Sequence, residues 1–173
     1  MTKAVKCVFL DRDGVLNEEL GYQISHFDEF KIRKEVPQAL QQFKSAGYLL
    51  VVVTNQSGIA KGTYNEGFVR KCYEAIQAAC NYVIDDLYFA PGYDKISKTL
   101  SRKPRGLMFE KAIAKHGIDT SKSWMIGDRE SDMIPSKKLG INTIHLTEGE
   151  KSDFADYKVH SLLEAAQLII NAG

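Results

Sequence analysis

Three short polar motifs each follow a hydrophobic, strand-like run of this sequence. They are Asp11-Arg12-Asp13-Gly14, Thr54-Asn55-Gln56-Ser57-Gly58 and Gly127-Asp128-Arg129-Glu130-Ser131-Asp132. Asp11 and Asp13 are close together where the chain leaves a strand, so a turn at Gly14 can direct both carboxyl groups into one small volume. Two carboxylates that close repel each other, and a divalent cation relieves the repulsion. Oxygen ligands from Asp11, Asp128 and a backbone carbonyl favour Mg²⁺.

The residue types in these motifs suit phosphoryl transfer. A transferring phosphoryl group spreads negative charge over three equatorial oxygens, so a protein must direct cations and hydrogen-bond donors at them. Lys103, Thr54 with nearby backbone amides, and Mg²⁺ are the candidates. Burial and the nearby Asp11 are expected to raise the pKa of Asp13, which would make it a general acid near neutral pH. Hydrolysis through an aspartyl phosphate would then divide one difficult displacement into two, with Asp13 protonating the leaving alkoxide and later activating water.

Alternating strand-like and helical segments predict the fold that positions these motifs. The strands are predicted at 5–10, 48–53, 82–89, 123–126 and 141–146, and the helices at 36–46, 67–79, 107–115 and 161–170. This alternation favours an α/β fold with a doubly wound parallel sheet, a three-layer α/β/α sandwich. Ligands of such sheets bind beyond the carboxyl ends of the strands, where the motifs lie. Two segments fall outside the alternation, a flap or small hairpin at 16–34 and a polar loop at 90–102.

Composition limits the class of protein further. The 173 residues suit one domain, 1–173, and a net charge of +1 gives no overall attraction to nucleic acid or to an anionic membrane. The longest apolar run, 48–53, is far shorter than the ~20 residues of a membrane helix, and 1–6 lacks the apolar core of a signal peptide. We therefore expect a cytoplasmic protein. Its three cysteines lie in apolar segments, which favours reduced core thiols.

Taken together, the motifs resemble the four signature motifs of the haloacid dehalogenase (HAD) superfamily, and the resemblance covers nearly the whole chain. The motifs, in the family's order, are Asp11-Arg12-Asp13-Gly14-Val15-Leu16-Asn17, Thr54, Lys103 before Pro104, and Gly127-Asp128 with Asp132. The resemblance implies that Asp11 is the nucleophile and Asp13 the acid/base. The implied Mg²⁺ ligands are Asp11, Asp128 and the backbone carbonyl of Asp13, with Asp132 in support. The candidate phosphate and substrate contacts are Thr54, Asn55, Lys103, Arg102 and Asn17. A sheet order of 5-4-1-2-3 is also implied.

Within the superfamily, segments 11–17, 54–62 and 102–104 are similar to the heptose bisphosphate and histidinol phosphate phosphatases. The intervals between the motifs leave no room for a cap domain, so a capless phosphomonoester hydrolase is implied. The implied substrate is a small phosphosugar such as D-glycero-D-manno-heptose 1,7-bisphosphate, with Arg102 binding its second phosphate and Lys61 as a lesser candidate. Such enzymes commonly hold structural zinc in the loop before Arg-Lys-Pro. Here the ligand positions are Ala90, Gly92, Thr99 and Ser101, which are not zinc ligands, so we predict no zinc.

Several alternatives stay open from the sequence. Histidinol phosphate, a nucleotide or a nucleic-acid phosphate end are alternative substrates, although the balanced charge argues against nucleic acid. A non-enzymatic phospho-acceptor module is a different class, and Asp13 argues against it because this residue supplies the acid for rapid turnover. An inactive scaffold with the same fold is a third possibility. The sequence does not indicate which oligomeric state the protein adopts.

Overall fold

The computed structural model describes residues 4–172, and these contain one sheet of six parallel strands. The strands are β1 (Cys7–Leu10), β2 (Leu49–Asn55), β3 (Asp86–Ala90), β4 (Trp124–Gly127), β5 (Asn142–Leu146) and β6 (Tyr157–Val159). Their spatial order is β3-β2-β1-β4-β5-β6. The predicted order 5-4-1-2-3 is therefore confirmed, with β6 added at the edge beyond β5. Only Val159 of β6 is buried, so this short strand lacks the pattern that would predict it.

Helices cover both faces of the sheet, which confirms the predicted three-layer sandwich. They are α1 (Val36–Ser45), α2 (Glu66–Ala79), α3 (Leu107–His116), α4 (Glu130–Lys138) and α5 (Leu162–Ala172). Buried side chains of α1, α2 and α5 form one core, and those of α3 form a second core on the other face. Apolar spacing did not predict α4, because this helix contains Pro135 and buries the polar Asp132 and Ser136.

Strand β1 shows why the sheet forms. Val8 and Leu10 belong to one core, while Cys7 and Phe9 belong to the other, and all four side chains are fully buried. A continuous apolar run of this kind is typical of a central parallel strand that is covered on both faces. Burial at this position brings the next residue, Asp11, to the carboxyl edge of the sheet.

The segment predicted as a flap is closed at its base. An isolated antiparallel bridge joins Asn17 to Ile32, and a 3₁₀ turn occupies Phe27–Glu29. Ile24 and Phe30 anchor the segment in the first core. Among the described residues, no helix combines the length and the apolar character that crossing a membrane would require.

Candidate active site

The carboxyl ends of β1 and β4 bring three carboxylates together. Asp11 follows β1, while Asp128 and Asp132 follow β4, and one carboxylate oxygen of each lies within 4.8 Å of the others. The two strands are paired in parallel with Leu10 opposite Ile126, so both chains leave the sheet side by side. We call Asp11, Asp128 and Asp132 the acidic cluster. The first and fourth motifs therefore meet at one place.

Two glycines allow the carboxylates to approach the backbone this closely. A Cβ atom on Gly14 would lie 2.3 Å from Oδ2 of Asp128, and one on Gly127 would lie 2.3 Å from Oδ2 of Asp132. Gly14 also has a φ of +81°, a conformation that other residues rarely adopt. Any side chain at either position would displace a carboxylate. The glycines of the first and fourth motifs thus leave the space that the acidic cluster occupies.

Lys103 is the cation of the acidic cluster. Its Nζ lies 3.0 Å from Oδ1 of Asp11 and 2.5 Å from Oδ1 of Asp132, and it donates to the carbonyl of Val53 at 2.8 Å. Burial opposes the charged form of Lys103, but Asp11 and Asp132 outweigh it and raise the pKa of the ammonium. This ammonium and the guanidinium of Arg129, whose Nε lies 3.7 Å from Oδ2 of Asp128, face three carboxylates, so the site keeps an excess of negative charge when all three are ionised.

The excess charge changes the acidity of the acidic cluster. Burial, followed by repulsion from Asp11 and Asp132, raises the pKa of Asp128 to about 7. Burial and Asp11 likewise raise the pKa of Asp132 to about 7, although Lys103 acts in the opposite direction. Because Asp132 is in contact with the ammonium, we place the proton that the metal-free cluster takes up on Asp128. A divalent cation would balance the same charge without a proton.

The acidic cluster fits Mg²⁺. Oδ1 of Asp128 is buried and has no hydrogen-bond partner in the structure, which is an unfavourable state for a carboxylate oxygen. A hard cation would satisfy this oxygen, and the surrounding donors are all oxygen atoms, the set that Mg²⁺ prefers. Asp132 is completely buried, and its two oxygens contact Nζ of Lys103 and the backbone N–H of Arg129, so Asp11 and Asp128 are the carboxylates available for direct ligation.

Asp13 lies beside the acidic cluster but is held by a different set of partners. Arg12 donates to it from Nη2 at 2.8 and 3.0 Å, and Asn17 and Gln56 add hydrogen bonds at 3.1 and 3.0 Å. Burial alone raises the pKa of Asp13, but Arg12 and then the two amides outweigh it and lower the pKa. The expectation that burial and Asp11 raise this pKa is therefore wrong for the protein without substrate. The sequence interpretation omitted the guanidinium of Arg12.

Thr54 is the penultimate residue of β2, and its side chain is buried. Its Oγ1 accepts a hydrogen bond from Nε2 of Gln56 at 2.9 Å, and Oε1 of Gln56 in turn accepts from the hydroxyl of Tyr64 at 2.7 Å. No acceptor for the hydroxyl proton of Thr54 occurs among the hydrogen bonds of the described residues. Thr54 is only 1% exposed, and its contact with a phosphate oxygen stays a prediction.

Two predicted substrate contacts have other partners. The side chain of Asn55 accepts from the backbone N–H of Lys103 at 2.9 Å and donates to its carbonyl at 3.1 Å, so it positions that lysine. Asn17 is completely buried and donates to Asp13 and to the carbonyl of Glu18. The substrate contact of Asn17 stays a prediction; in the protein without substrate its side chain orients Asp13 and is closed off from solvent.

A cleft of ≈ 530 Å³ opens above these residues. Asp11 and Lys103 line it, and its remaining cationic lining includes Lys61, Arg102 and Arg129. The side chain of Arg102 is 21% exposed. Positive side chains above an acidic floor suit a molecule that carries an anionic group at more than one place. The prediction that Arg102 binds a second phosphate is thus compatible with where the residue lies.

The sequence analysis assigned no role to His145, which lies in β5 and contacts the backbone of Asp128. Its Nδ1 accepts from the backbone N–H of Ser152 at 3.1 Å, which leaves Nε2 as the donor to the carbonyl of Asp128 at 3.0 Å. The imidazole is only 8% exposed. A histidine at the buried end of β5, next to the strand that carries the fourth motif, is the signal that could have identified it.

The family model and the sequence relatives that match this chain all belong to one group of hydrolases. A family model described as HAD-hydrolase-like matches residues 100–166. The chain is 37% identical to the D-glycero-beta-D-manno-heptose-1,7-bisphosphate 7-phosphatase of Haemophilus ducreyi, over 92% of this chain and 95% of that protein. It is 36% identical to the enzyme of the same name from Pasteurella multocida, over 95% and 96%.

The solved structures give the same fold. D,D-heptose 1,7-bisphosphate phosphatase from B. bronchiseptica, complexed with magnesium and phosphate, matches with a TM-score of 0.87 and 20% sequence identity. The match covers 98% of this chain and 100% of that one. At this identity the structural likeness establishes the architecture, and the sequence relatives establish the family.

Proposed function

The chain belongs to the heptose bisphosphate phosphatase family of the HAD-like hydrolases, and from this premise we propose that it is a Mg²⁺-dependent phosphosugar phosphatase. The proposed substrate is D-glycero-D-manno-heptose 1,7-bisphosphate, which the names of the relatives in H. ducreyi and P. multocida support. The observation that carries the proposal is the acidic cluster around Lys103, with a buried carboxylate oxygen of Asp128 that has no partner.

We propose that Asp11, Asp128 and the backbone carbonyl of Asp13 hold the metal, with Asp132 supporting them through Lys103. When bound, Mg²⁺ would neutralise charge on the phosphoryl group and on the acidic cluster. The contacts of Asp132 support this division, because both of its oxygens are engaged by Lys103 and by the backbone of Arg129, whereas Oδ1 of Asp128 has no hydrogen-bond partner.

The contacts of Asp11 support its role as the nucleophile. Its Oδ1 accepts from the backbone N–H of Arg12 at 2.7 Å and contacts Nζ of Lys103 at 3.0 Å. Both donors engage the same oxygen, so Oδ2 is left for attack on phosphorus. In the first step, the new Asp11–phosphorus bond forms as the bond to the leaving alkoxide breaks. In the second, water displaces Asp11 and inorganic phosphate is released.

Asp13 is proposed as the acid of the first step and the base of the second. Arg12 keeps it ionised in the protein without substrate, which is the form needed as a base. A phosphate dianion entering beside Asp13 would raise its pKa again, because like charges disfavour the ionised carboxylate. The proton that it then gives to the alkoxide returns to it from the attacking water.

A panel of phosphate esters tests the proposed function. The purified protein with Mg²⁺ is assayed on heptose 1,7-bisphosphate, the matching monophosphate, histidinol phosphate, nucleotides and an aryl phosphate. We expect the highest kcat/KM for the bisphosphate and no turnover in chelator. A higher kcat/KM for histidinol phosphate or a nucleotide would replace the proposed substrate. Absence of turnover on every ester would favour the phospho-acceptor or scaffold alternatives.

Arg102→Ala separates recognition of the substrate from the chemical step. Arg102 lines the cleft but contacts neither Asp11 nor Asp13 among the described hydrogen bonds and ion pairs. We expect KM to rise about tenfold for the bisphosphate, the scale of losing a charged hydrogen bond, and to change little for an aryl phosphate. Equal increases for both substrates would show that Arg102 does not bind the second phosphate.

The cytoplasmic location, the single domain 1–173 and the weak affinity for nucleic acid stay predictions. Fractionation of cells, limited proteolysis and titration with an oligonucleotide at two salt concentrations are the measurements that check them.

A further inference from the structure

The loop that connects β3 to α3 departs from the zinc-bound loop that the family resemblance implies. The four implied ligand positions hold Ala90, Gly92, Thr99 and Ser101, and the whole segment 90–102 contains neither cysteine nor histidine. Structural zinc in proteins is bound mainly by thiolate and imidazole. The side chains of this loop therefore do not fit the metal, and the question is what holds the loop in its place.

Three of the four implied ligand positions are in direct contact with one another. A Cβ atom on Gly92 would lie 2.7 Å from both Cγ2 and Oγ1 of Thr99, so the threonine packs onto the backbone of Gly92. Ser101 donates from its hydroxyl to Oγ1 of Thr99 at 3.3 Å. The loop thus has two arms, one at Gly92 and one at Thr99 and Ser101, and these arms are in contact with each other.

Arg105 ties the same two arms together. Its Nη1 donates to Oδ1 of Asp94 at 2.9 Å and to the carbonyl of Thr99 at 3.0 Å. Arg105 precedes α3, so it connects the loop to a helix of the second core. The side chains of Arg105 and Asp94 are 35% and 44% exposed, so the ion pair alone contributes little. The bond to the carbonyl of Thr99 is what makes the contact a bridge between both arms.

The bridge also fixes the cation that lines the cleft. Arg102 donates from Nη1 to the carbonyl of Gly92 at 3.2 Å, and its Nε lies 3.9 Å from Oδ2 of Asp94. The ring of Tyr93, between these two residues, lies 5.9 Å from Cζ of Arg102 and 4.3 Å from Nζ of Lys61. Any movement of Asp94 and Gly92 would therefore carry the guanidinium of Arg102 with it.

We propose that Arg105 is a positioning residue that takes the place of a structural zinc ion in this loop. By joining Asp94 to the carbonyl of Thr99, it holds segment 91–102 and presents Arg102 to the distal end of the substrate. The statement about the substrate rests on the proposed function, whereas the statement about the loop does not.

Metal content and loop protection test the holding role without any substrate. The protein is purified without chelator, its zinc is measured by mass spectrometry, and its Tm is measured before and after dialysis against a zinc chelator. We expect far less than one zinc per chain and an unchanged Tm. One zinc per chain, or a Tm that falls on chelation, would overturn the proposal.

Hydrogen exchange of segment 93–101 is then compared in the wild type, Arg105→Gln, Arg105→Lys and Lys98→Gln. Lys98 is an exposed cation of the same loop that forms no ion pair among the described residues, so it is the matched control for charge. We expect exchange to accelerate about fivefold in Arg105→Gln, less in Arg105→Lys, and not at all in Lys98→Gln. Equal exchange in Arg105→Gln and the wild type would sink the proposal.

The same variants are assayed for turnover. We expect Arg105→Gln to raise KM for the bisphosphate about fivefold with kcat unchanged, to leave KM for an aryl phosphate unchanged, and to be partly rescued in Arg105→Lys. A fall in kcat on both substrates would show a general structural role and would contradict the positioning role. If the bisphosphate is no substrate of the wild type, the proposed function fails, while the exchange experiment still decides whether Arg105 holds the loop.

Discussion

Asp128, directly after β4, and Asp86, at the start of β3, are both partly buried aspartates of one sheet. Their pKa values are shifted in opposite directions from the ordinary value of an aspartate. Burial raises the pKa of each. At Asp86, hydrogen bonds from Lys115 at 2.7 Å and from the backbone of Leu87, with Nε2 of His116 at 2.8 Å, outweigh burial and lower the pKa to about 2. At Asp128, repulsion within the acidic cluster adds to burial and raises the pKa to about 7.

Because burial raises both pKa values, the difference shows that the balance of neighbouring charges sets the direction of the final shift. Asp86 has its own cation and hydrogen-bond donors, so it is complete within the chain. Asp128 lies 3.7 Å from Nε of Arg129, and this guanidinium and the ammonium of Lys103 together face the three carboxylates, so the acidic cluster is complete only with a further cation. Three aspartate-to-asparagine substitutions, one change of pH and substitutions of two histidines test this contrast.

The largest effect is expected from Asp11→Asn, with Asp86→Asn as the matched substitution in the other region. Loss of the nucleophile is expected to lower kcat by at least ~10³-fold, since the nucleophile acts together with its partners. Asp86→Asn is expected to leave kcat unchanged because Asp86 lies at the opposite end of its strand from the cleft. Single-turnover assays with an aryl phosphate measure both. Wild-type turnover in Asp11→Asn would overturn the mechanism.

Asp128→Asn is expected to have the next largest effect, on the requirement for Mg²⁺. Loss of a charged ligand should raise the Mg²⁺ concentration for half-maximal activity by about 100-fold or more, above the 10- to 100-fold effect of residues that only orient a ligand. The metal-free variant should be at least as stable as the metal-free wild type, because one repelling charge is gone. Calorimetry with added Mg²⁺ measures the lost binding directly, and unchanged affinity would exclude Asp128 as a ligand.

The pH dependence of stability is expected to have opposite signs in the two regions. A carboxyl group whose pKa rises on folding destabilises the native state as pH increases from the unfolded value of ~3.9 to the folded value. For Asp128, with a folded pKa of about 7, the free energy of unfolding of the metal-free protein should therefore decrease between about pH 4 and pH 7. Asp86, with a pKa of about 2, stabilises above ~3.9, and this contribution is lost as pH falls toward 2.

Urea unfolding in chelator at pH 5 and pH 7.5, repeated with saturating Mg²⁺, measures the effect of the acidic cluster. We expect the decrease in stability in chelator and its disappearance with Mg²⁺, because the cation replaces the proton and stabilises the native state by binding it. Asp128→Asn should show a smaller decrease, because the buried Asp132 also has a raised pKa of about 7. Asp86→Asn should change only the acid limb. A decrease of equal size with and without Mg²⁺ would show that the acidic cluster does not bind the ion.

The sequence was sufficient to predict which side chains meet at the carboxyl ends of the strands. Asp11 and Asp128 each follow a strand of a parallel sheet and Thr54 lies at the end of another, and the carboxyl ends of such strands meet at one edge, so their convergence could be predicted from periodicity alone. The glycines of the first and fourth motifs also have a direct reason in the close approach of the carboxylates.

The parts that the sequence did not predict depend on side-chain partners. The acidity of Asp13 follows from the direction of the Arg12 side chain, which no spacing reveals. The burial of Asn17 depends on how segment 16–34 closes over it. Strand β6 and helix α4 were missed because neither has a regular apolar pattern. The loop at 91–102 could be recognised as lacking zinc ligands, but the role of Arg105 required the position of the carbonyl that it contacts.

The smallest effect is expected from His145, which tests whether the acidic cluster is held only by the strand pairing. His145→Gln keeps a side-chain donor, whereas His145→Leu removes it and leaves the carbonyl of Asp128 without this hydrogen bond. Because the contact acts through the backbone, we expect the Mg²⁺ concentration for half-maximal binding to rise about threefold in His145→Leu and less in His145→Gln. This effect is smaller than that of losing a side chain that hydrogen-bonds directly to a metal ligand.

His160→Gln is the control, because His160 is exposed and pairs with Glu148 at the surface. Isothermal titration with Mg²⁺ is preferred over turnover, since it reports on the acidic cluster without the substrate. If His145→Leu loses stability but binds Mg²⁺ as the wild type does, the histidine is a core residue like the partners of Asp86. If the affinity for Mg²⁺ falls while the free energy of unfolding is unchanged, the functional region includes β5 as well as β4. The contrast between the two ends of the sheet then depends on the residues that orient each carboxylate as well as on those that balance its charge.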